Sequence, residues 1–209
     1  GFYIIIPNEY AYSGVLPPQL FIDDLMKFIG KPYYVCLGSA AALHGASHQQ
    51  LQAFHVMIPS PERDISAGGL KIRFFVKKDI KSGEKMRYKT DTGYIQVSTP
   101  ELTALDLVAY ETRIGGLNRV TTVLSALREK IKPERLLKEA SHYRSIIYAQ
   151  RLGYLLEKPG NTEITEKLAS WIALNNPPYT LLKAGGDTKG CQHSPRWKII
   201  INVKVLNEI

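Results

Sequence analysis

The spacing of apolar residues changes once along this chain, at Ser98-Thr99-Pro100, and that change restricts the fold more than any other feature. Before it, short apolar runs and period-two alternation predict strands at residues 54–58 ("FHVMI"), 71–76 ("KIRFFV"), 85–89 and 93–97 ("GYIQV"). In the third of these, Lys85, Arg87 and Lys89 alternate with Met86 and Tyr88. After the change, spacings of three and four take over, as in Leu117, Val120, Leu124 and Leu127. Thr99 as N-cap, Pro100 at the first position and Glu101 near the positive end of the dipole predict a helix start. Four more helices are predicted: after Gly115-Gly116, from Pro133, over "SHYRSIIYAQRLGYLLE" and over "TEKLASWIAL". The segment "RWKIIINV" then returns to strand. The implied class is α+β, with a mixed α/β subdomain over 1–98 and a helical subdomain with a returning terminal strand over 99–209.

Within the front half, "FYIII" (2–6) reads as a strand closed by Pro7, and "PPQLFIDDLMKFIG" as a helix with Phe21, Leu25 and Phe28 on one face and Gly30 at its stop. "PYYVCL" is a strand, and Ser39 is placed to cap the helix "AAALHGA". A strand, a Gly-Ser pair and an alanine-rich helix form the outline with which nucleotidyltransferase active sites often begin. In such an enzyme, closely spaced carboxylates on the following strand hold two magnesium ions that stabilise the attacking and leaving oxygens. Here that strand, "LQAFHVMI", has no acid; the next carboxylate after Ser39 is Glu62, 23 residues on. No Asp-x-Asp or Asp-x-Glu occurs in the chain.

Other chemistries have no better motif. There is no Walker A or Gly-x-Gly-x-x-Gly loop, no His-Glu-x-x-His helix and no Gly-x-Ser-x-Gly elbow. A nuclease centre assembled from Asp64 and Asp79-Ile80-Lys81 rests on a triplet in a Lys-rich turn, where such matches arise by chance. His44, His48 and His55 cluster in sequence without a nucleophile or orienting carboxylate nearby, so histidines satisfied by carbonyls or water are the simpler reading. Asp106, in "TALDLVAY", reads as a buried acid that pairs with an arginine or caps a neighbouring element. No catalytic residue, metal or other cofactor is expected, and nothing points to a small-molecule ligand. No apolar run reaches the ~20 residues of a membrane span. Cys36 and Cys191 neither form a disulfide framework nor have the spacing of a zinc pair, so a cytoplasmic setting is expected.

Charge is the strongest functional signal. Between Lys71 and Lys89, eight basic residues (Lys71, Arg73, Lys77, Lys78, Lys81, Lys85, Arg87, Lys89) face only Asp79 and Glu84, so six of the chain's eight net positive charges sit within 19 residues. If residues 71–75 and 85–89 are adjacent strands, Lys71, Arg73, Lys85, Arg87 and Lys89 share one face of a basic hairpin while Ile72, Phe74, Met86 and Tyr88 bury the other. These eight are the candidate nucleic-acid contacts. The alternative is a solvated edge whose lysines block strand-to-strand association.

Taken in order, "GFYIIIPNEYAYSGVLPPQLFIDDLM", "PYYVCLGSAAALHGASHQQLQAFHVMI", "STPELTALDLV", "GGLNRVTTVLSALRE", "QRLGYLLE" and "RWKIIINV" resemble the C-terminal part of AbiEi-type antitoxins, the transcriptional regulators of type IV toxin–antitoxin (abortive infection) systems. The resemblance implies a winged-helix DNA-binding domain upstream of a segment like "GFYIIIP", which fits a chain that opens at Gly1 without methionine and enters a strand at once. It further implies autorepression of the operon through that winged helix, and antagonism of a nucleotidyltransferase-like toxin without a stable complex. No catalytic residue is carried over from the family. Two other readings stand beside it: a nucleotidyltransferase-like enzyme with a non-standard metal site drawn from Glu62, Asp64 and Asp106, and a plain basic nucleic-acid-binding module.

Overall fold

The computed structural model describes residues 1–10, 12, 14–46, 51–157 and 162–205. Six strands form the main sheet: β1 (Tyr34–Val35), β2 (Phe54–Ile58), β3 (Ile65–Ala67), β4 (Leu70–Val76), β5 (Lys85–Thr90) and β6 (Gly93–Ser98), in the order β3-β4-β2-β1-β6-β5. β1 runs parallel to β6 and β2 parallel to β4; the other pairs are antiparallel. The sheet is therefore mixed, and the α+β class read from the sequence is the one observed.

Alternation along each strand sends side chains to two separate cores. On one face Val35, Val56, Ile58, Ile72, Phe74 and Val97 pack with Ile22, Leu25 and Met26 of the helix α1 (Ile22–Ile29). On the other, Tyr34, Met57 and Phe75 meet the helical layer. That layer consists of α3 (Pro100–Ala109), α4 (Gly116–Leu127), α5 (Pro133–His142), α6 (Ile146–Leu156) and α7 (Glu163–Asn175), with the Gly-Ser helix α2 (Leu37–Leu43) lying against α3. α3 is buried at every position from Glu101 to Val108, so it has no polar stripe and serves as the central post of the layer. Thr99 Oγ1 accepts a hydrogen bond from the Leu102 amide at 3.4 Å and Pro100 occupies the first position, as the sequence predicted.

Several expectations are corrected. Residues 2–6 are extended but join no sheet: Phe2 and Ile4 pack inward, Phe2 lying 5.6 Å from Phe28 between ring centroids, while Tyr3 and Ile5 face solvent. The predicted first helix breaks into a 3-10 turn at Pro18–Leu20 and then α1, because Phe21 between them is not helical. Its inward face is Ile22, Leu25 and Met26, and Phe28 is exposed. Ser39 does not cap α2. The helix starts two residues earlier, and Ser39 Oγ instead accepts the His55 amide at 2.9 Å, tying α2 to β2. α5 ends at His142 and α6 begins after Ser145, which caps it, so the predicted fourth helix loses its first turn.

The basic hairpin does not form. β4 and β5 lie on opposite sides of the sheet, separated by β2, β1 and β6. The connection after β4 turns inward, burying Lys77 and Ile80, and this carries the chain away from β4 before β5 begins. β5 then pairs with β6 through a tight turn that aligns Thr90 with Gly93. Likewise the terminal strand β9 (Ile199–Ile201) forms a second small sheet with β7 (Thr180–Leu181) and β8 (Gln192–Ser194) rather than rejoining the main one. Its anchor is Trp197, fully buried over Gly153 of α6, where a Cβ would run into the indole ring.

Candidate functional site

A cleft of about 640 Å³ opens where the Gly-Ser helix, the strands β2 and β4 and the α3–α4 connection meet. Gly38 and residues 51–53 form one side, and Leu107, Ile114 and Val123 give it an apolar wall. Register places its polar groups: His55 on β2 stands opposite Arg73 on β4, and both side chains point to the helical side. Lys71, two residues before Arg73, falls on the same face. Arg113 and Arg119 come from beyond the sheet, the first in the turn after α3 and the second in the first turns of α4. Among the described residues four cations line this cleft, and no carboxylate does.

The cations are held by backbone and ring contacts more than by acids. Arg73 Nη1 donates to the Arg113 carbonyl at 3.4 Å, and Arg113 Nη2 donates to the Phe74 carbonyl at 3.3 Å. Both guanidiniums lie over the Phe75 ring, Arg113 at 4.5 Å and Arg73 at 5.6 Å from its centroid. Asp64 approaches Arg73 at 3.8 Å, but its other oxygen accepts the Phe74 amide at 2.9 Å. His55 is packed edge-on against the same ring, and its Nδ1 is buried without a hydrogen-bond partner among the described residues. Burial, then the Arg73 and Arg119 charges, lower the His55 pKa to about 4, so the ring is neutral at pH 7.

A second polar cluster lies deeper, between sheet and helices. Asp106 on α3 is fully buried and accepts from Tyr34 at 2.9 Å, from Tyr143 at 2.6 Å and from the Lys77 ammonium at 3.3 Å. Burial and the Asp106 charge hold both phenols well above their ordinary pKa. Every partner is an internal group, so this carboxylate serves the core. The acid pairs with a lysine, where the sequence suggested an arginine.

A family model for the AbiEi antitoxin C-terminal domain matches residues 33–158, more than half of the chain. The chain belongs to that family. Among solved structures, this antitoxin domain is similar to the RV2827C protein from Mycobacterium tuberculosis, with a TM-score of 0.61 at 15% identity over 89% of this chain and 68% of that one. At that identity the likeness is one of fold. An antigenic nucleotidyltransferase-like protein from Paracoccidioides brasiliensis aligns over 76% of this chain and 87% of its own at 9% identity, with a TM-score of 0.36 that carries no argument. No curated protein sequence matches the chain.

The antitoxin domain scatters the residues that sequence reading had grouped. Of the eight basic candidates, Lys71 and Arg73 enter the cleft, and Lys77 is buried on Asp106, out of reach of a phosphate. Lys85 is half-buried, donating to the Lys81 and Ser82 carbonyls at 2.9 and 3.2 Å; burial, then Lys77, lower its pKa. Lys78, Lys81, Arg87 and Lys89 are exposed, Arg87 lying 4.2 Å from the Tyr94 ring centroid. Met86, expected inside, is exposed as well, because β5 is an edge strand. Glu62, Asp64 and Asp106 do not assemble: Glu62 pairs with Lys31 at 2.9 Å, and the other two are engaged as described. Asp79 accepts the Ser82 amide at 3.2 Å, a turn contact. His44 Nε2 donates to the Ser98 carbonyl at 2.8 Å, and burial lowers its pKa. His48 lies outside the described residues. Among the described residues no three metal-ligating side chains converge, and no helix is long and apolar enough to cross a membrane. Arg113 and Arg119 were not foreseen. Forty residues separate Arg113 from Arg73, and the turn that follows α3 brings the two together.

Proposed function

We propose that this domain is the toxin-countering part of a type IV antitoxin, acting in the cytoplasm without enzymatic activity of its own. The family match supports the antitoxin role. The observation that carries the non-enzymatic reading is the strand after the Gly-Ser helix: β2 presents His55 and Met57 to the helical side, where a two-metal transferase needs carboxylates. The domain opposes the effect of a nucleotidyltransferase-like toxin without forming a lasting complex with it, and a winged helix preceding it reads the operon's DNA.

Two measurements test this. Co-expression of the neighbouring toxin with the domain should restore growth, and the domain should show no magnesium-dependent incorporation of labelled nucleotide into RNA or protein. Failure to restore growth overturns the antitoxin role, and incorporation that the domain itself catalyses overturns the non-enzymatic one. A second reading, contact with nucleic-acid phosphates, is favoured by the exposed Arg87 and Lys89 on the edge strand β5 and the exposed Lys78 and Lys81 in the segment that precedes it. It predicts sequence-indifferent duplex affinity that falls steeply with salt and is lost on charge reversal at Lys81, Arg87 and Lys89.

A further inference from the structure

We propose that the cleft between the Gly-Ser helix and the α3–α4 connection binds a nucleoside phosphate without a metal ion, its phosphates on Lys71, Arg73, Arg113 and Arg119 and its base against the apolar wall. Three independent observations converge on this. The first is an excess of positive charge. Four cations share one concavity whose described lining residues include no acid, and Asp64 reaches one of them, Arg73, at 3.8 Å. Like charges gathered this closely repel one another, and an anion among them relieves that repulsion.

The second is geometry. Arg73 and Arg113 are held by carbonyls and by the Phe75 face, so their positions are set before any ligand arrives. Preset guanidiniums lose little freedom on binding and present a fork that matches phosphate oxygens. The volume of about 640 Å³ lies within the ordinary range for small organic ligands. Leu107, Ile114 and Val123 offer a surface for a flat apolar ring, and Gln52 at the rim carries an amide suited to a base edge.

The third is His55. It is 9% exposed, lines the cleft, and leaves Nδ1 buried and unpaired toward Gly38, where a built Cβ would stand 3.5 Å away. Buried polar atoms are rarely left without a partner, and this one faces the glycine that lines the opening. The same Cβ at Gly38 would come within 2.9 Å of the Leu51 side chain, so glycine at this position lets α2 pack closely against Leu51 and His55.

The required chemistry is binding only. Phosphates paired directly with guanidinium and ammonium groups need no bridging cation. A free nucleotide and the phosphorylated end of a nucleic-acid strand offer the same groups, and the experiment separates them. Calorimetric titration of the full chain in EDTA would use ATP, CTP, pyrophosphate and a short oligonucleotide with a 5′ phosphate. The expected result is saturable one-to-one binding by ATP, CTP or the oligonucleotide, tighter than pyrophosphate by several-fold. R73Q/R113Q should weaken it at least ten-fold. Lys71→Glu, at an exposed position, should do so in a chain whose melting is unchanged. K183E/K189E, on exposed lysines at the second sheet, should leave it intact. Binding should also move the His55 imidazole resonances. Tighter binding of the oligonucleotide than of ATP assigns the ligand to a strand end, and the reverse assigns it to the free nucleotide. No saturable binding, equal affinity for pyrophosphate, or equal weakening by K183E/K189E overturns the proposal.

Discussion

At the scale of single residues, two buried ionisable groups govern how the domain responds to change. Asp106 forms an ion pair with Lys77 at 3.3 Å, and both are removed from water. Asp106→Asn keeps the shape but takes from a buried ammonium the carboxylate it contacts, so urea unfolding should show a loss of about 3 kcal/mol or more. His55 sets a pH response. Its pKa is about 4 folded and near 6.5 unfolded, so between these values the unfolded chain takes up a proton that the folded one refuses. Stability from this residue is complete above about pH 6.5 and declines as pH falls toward 4, by up to about 3 kcal/mol. Urea midpoints measured from pH 7 to pH 4 should show that decline, and His55→Gln should flatten it.

At the scale of elements, what the sequence made legible was local. Thr99 and Pro100 open α3 as read, because a cap needs only its own next turn. β4, β5 and β6 fall where short apolar runs and, for β5, period-two alternation put them. Which strand lies beside which was not legible. Lys71–Val76 and Lys85–Lys89 look like two arms of a hairpin because they are close in sequence and alike in charge. Their separation across the sheet depends on the burial of Lys77, whose partner Asp106 lies 29 residues away. The cleft was illegible for the same reason: β4 and the α3–α4 region each supply two of its cations, and no local pattern joins them. The α6–Trp197 contact is similarly remote, and it carries its own prediction. Gly153→Ala places a methyl where the indole lies, so Trp197 must move. Melting should fall by an amount equivalent to about 1–3 kcal/mol, and the tryptophan emission should shift to the red.

At the scale of the whole molecule, the change of pattern at residue 98 divides two kinds of element without dividing the core. One apolar cluster runs from Tyr34, Met57 and Phe75 of the sheet through α3 to Leu168 and Ile172 of α7. Unfolding should therefore be a single transition, with the fluorescence of Trp171 and Trp197 and the far-ultraviolet dichroism of the sheet and helices giving coincident urea curves. The three side chains gathered at Asp106 add a temporal consequence. Tyr34, Lys77 and Tyr143 reach it across 72, 29 and 37 residues, so the knot closes only after the sheet has paired and the helices have docked on it. Its hydrogen bonds belong to the last stage of assembly. Tyr143→Phe should accordingly leave the refolding rate nearly untouched and accelerate unfolding, a φ-value near zero in stopped-flow chevrons. The buried carboxylate then acts as a latch on the finished molecule: it has little influence on how fast the domain folds, and it lengthens the time the domain stays folded.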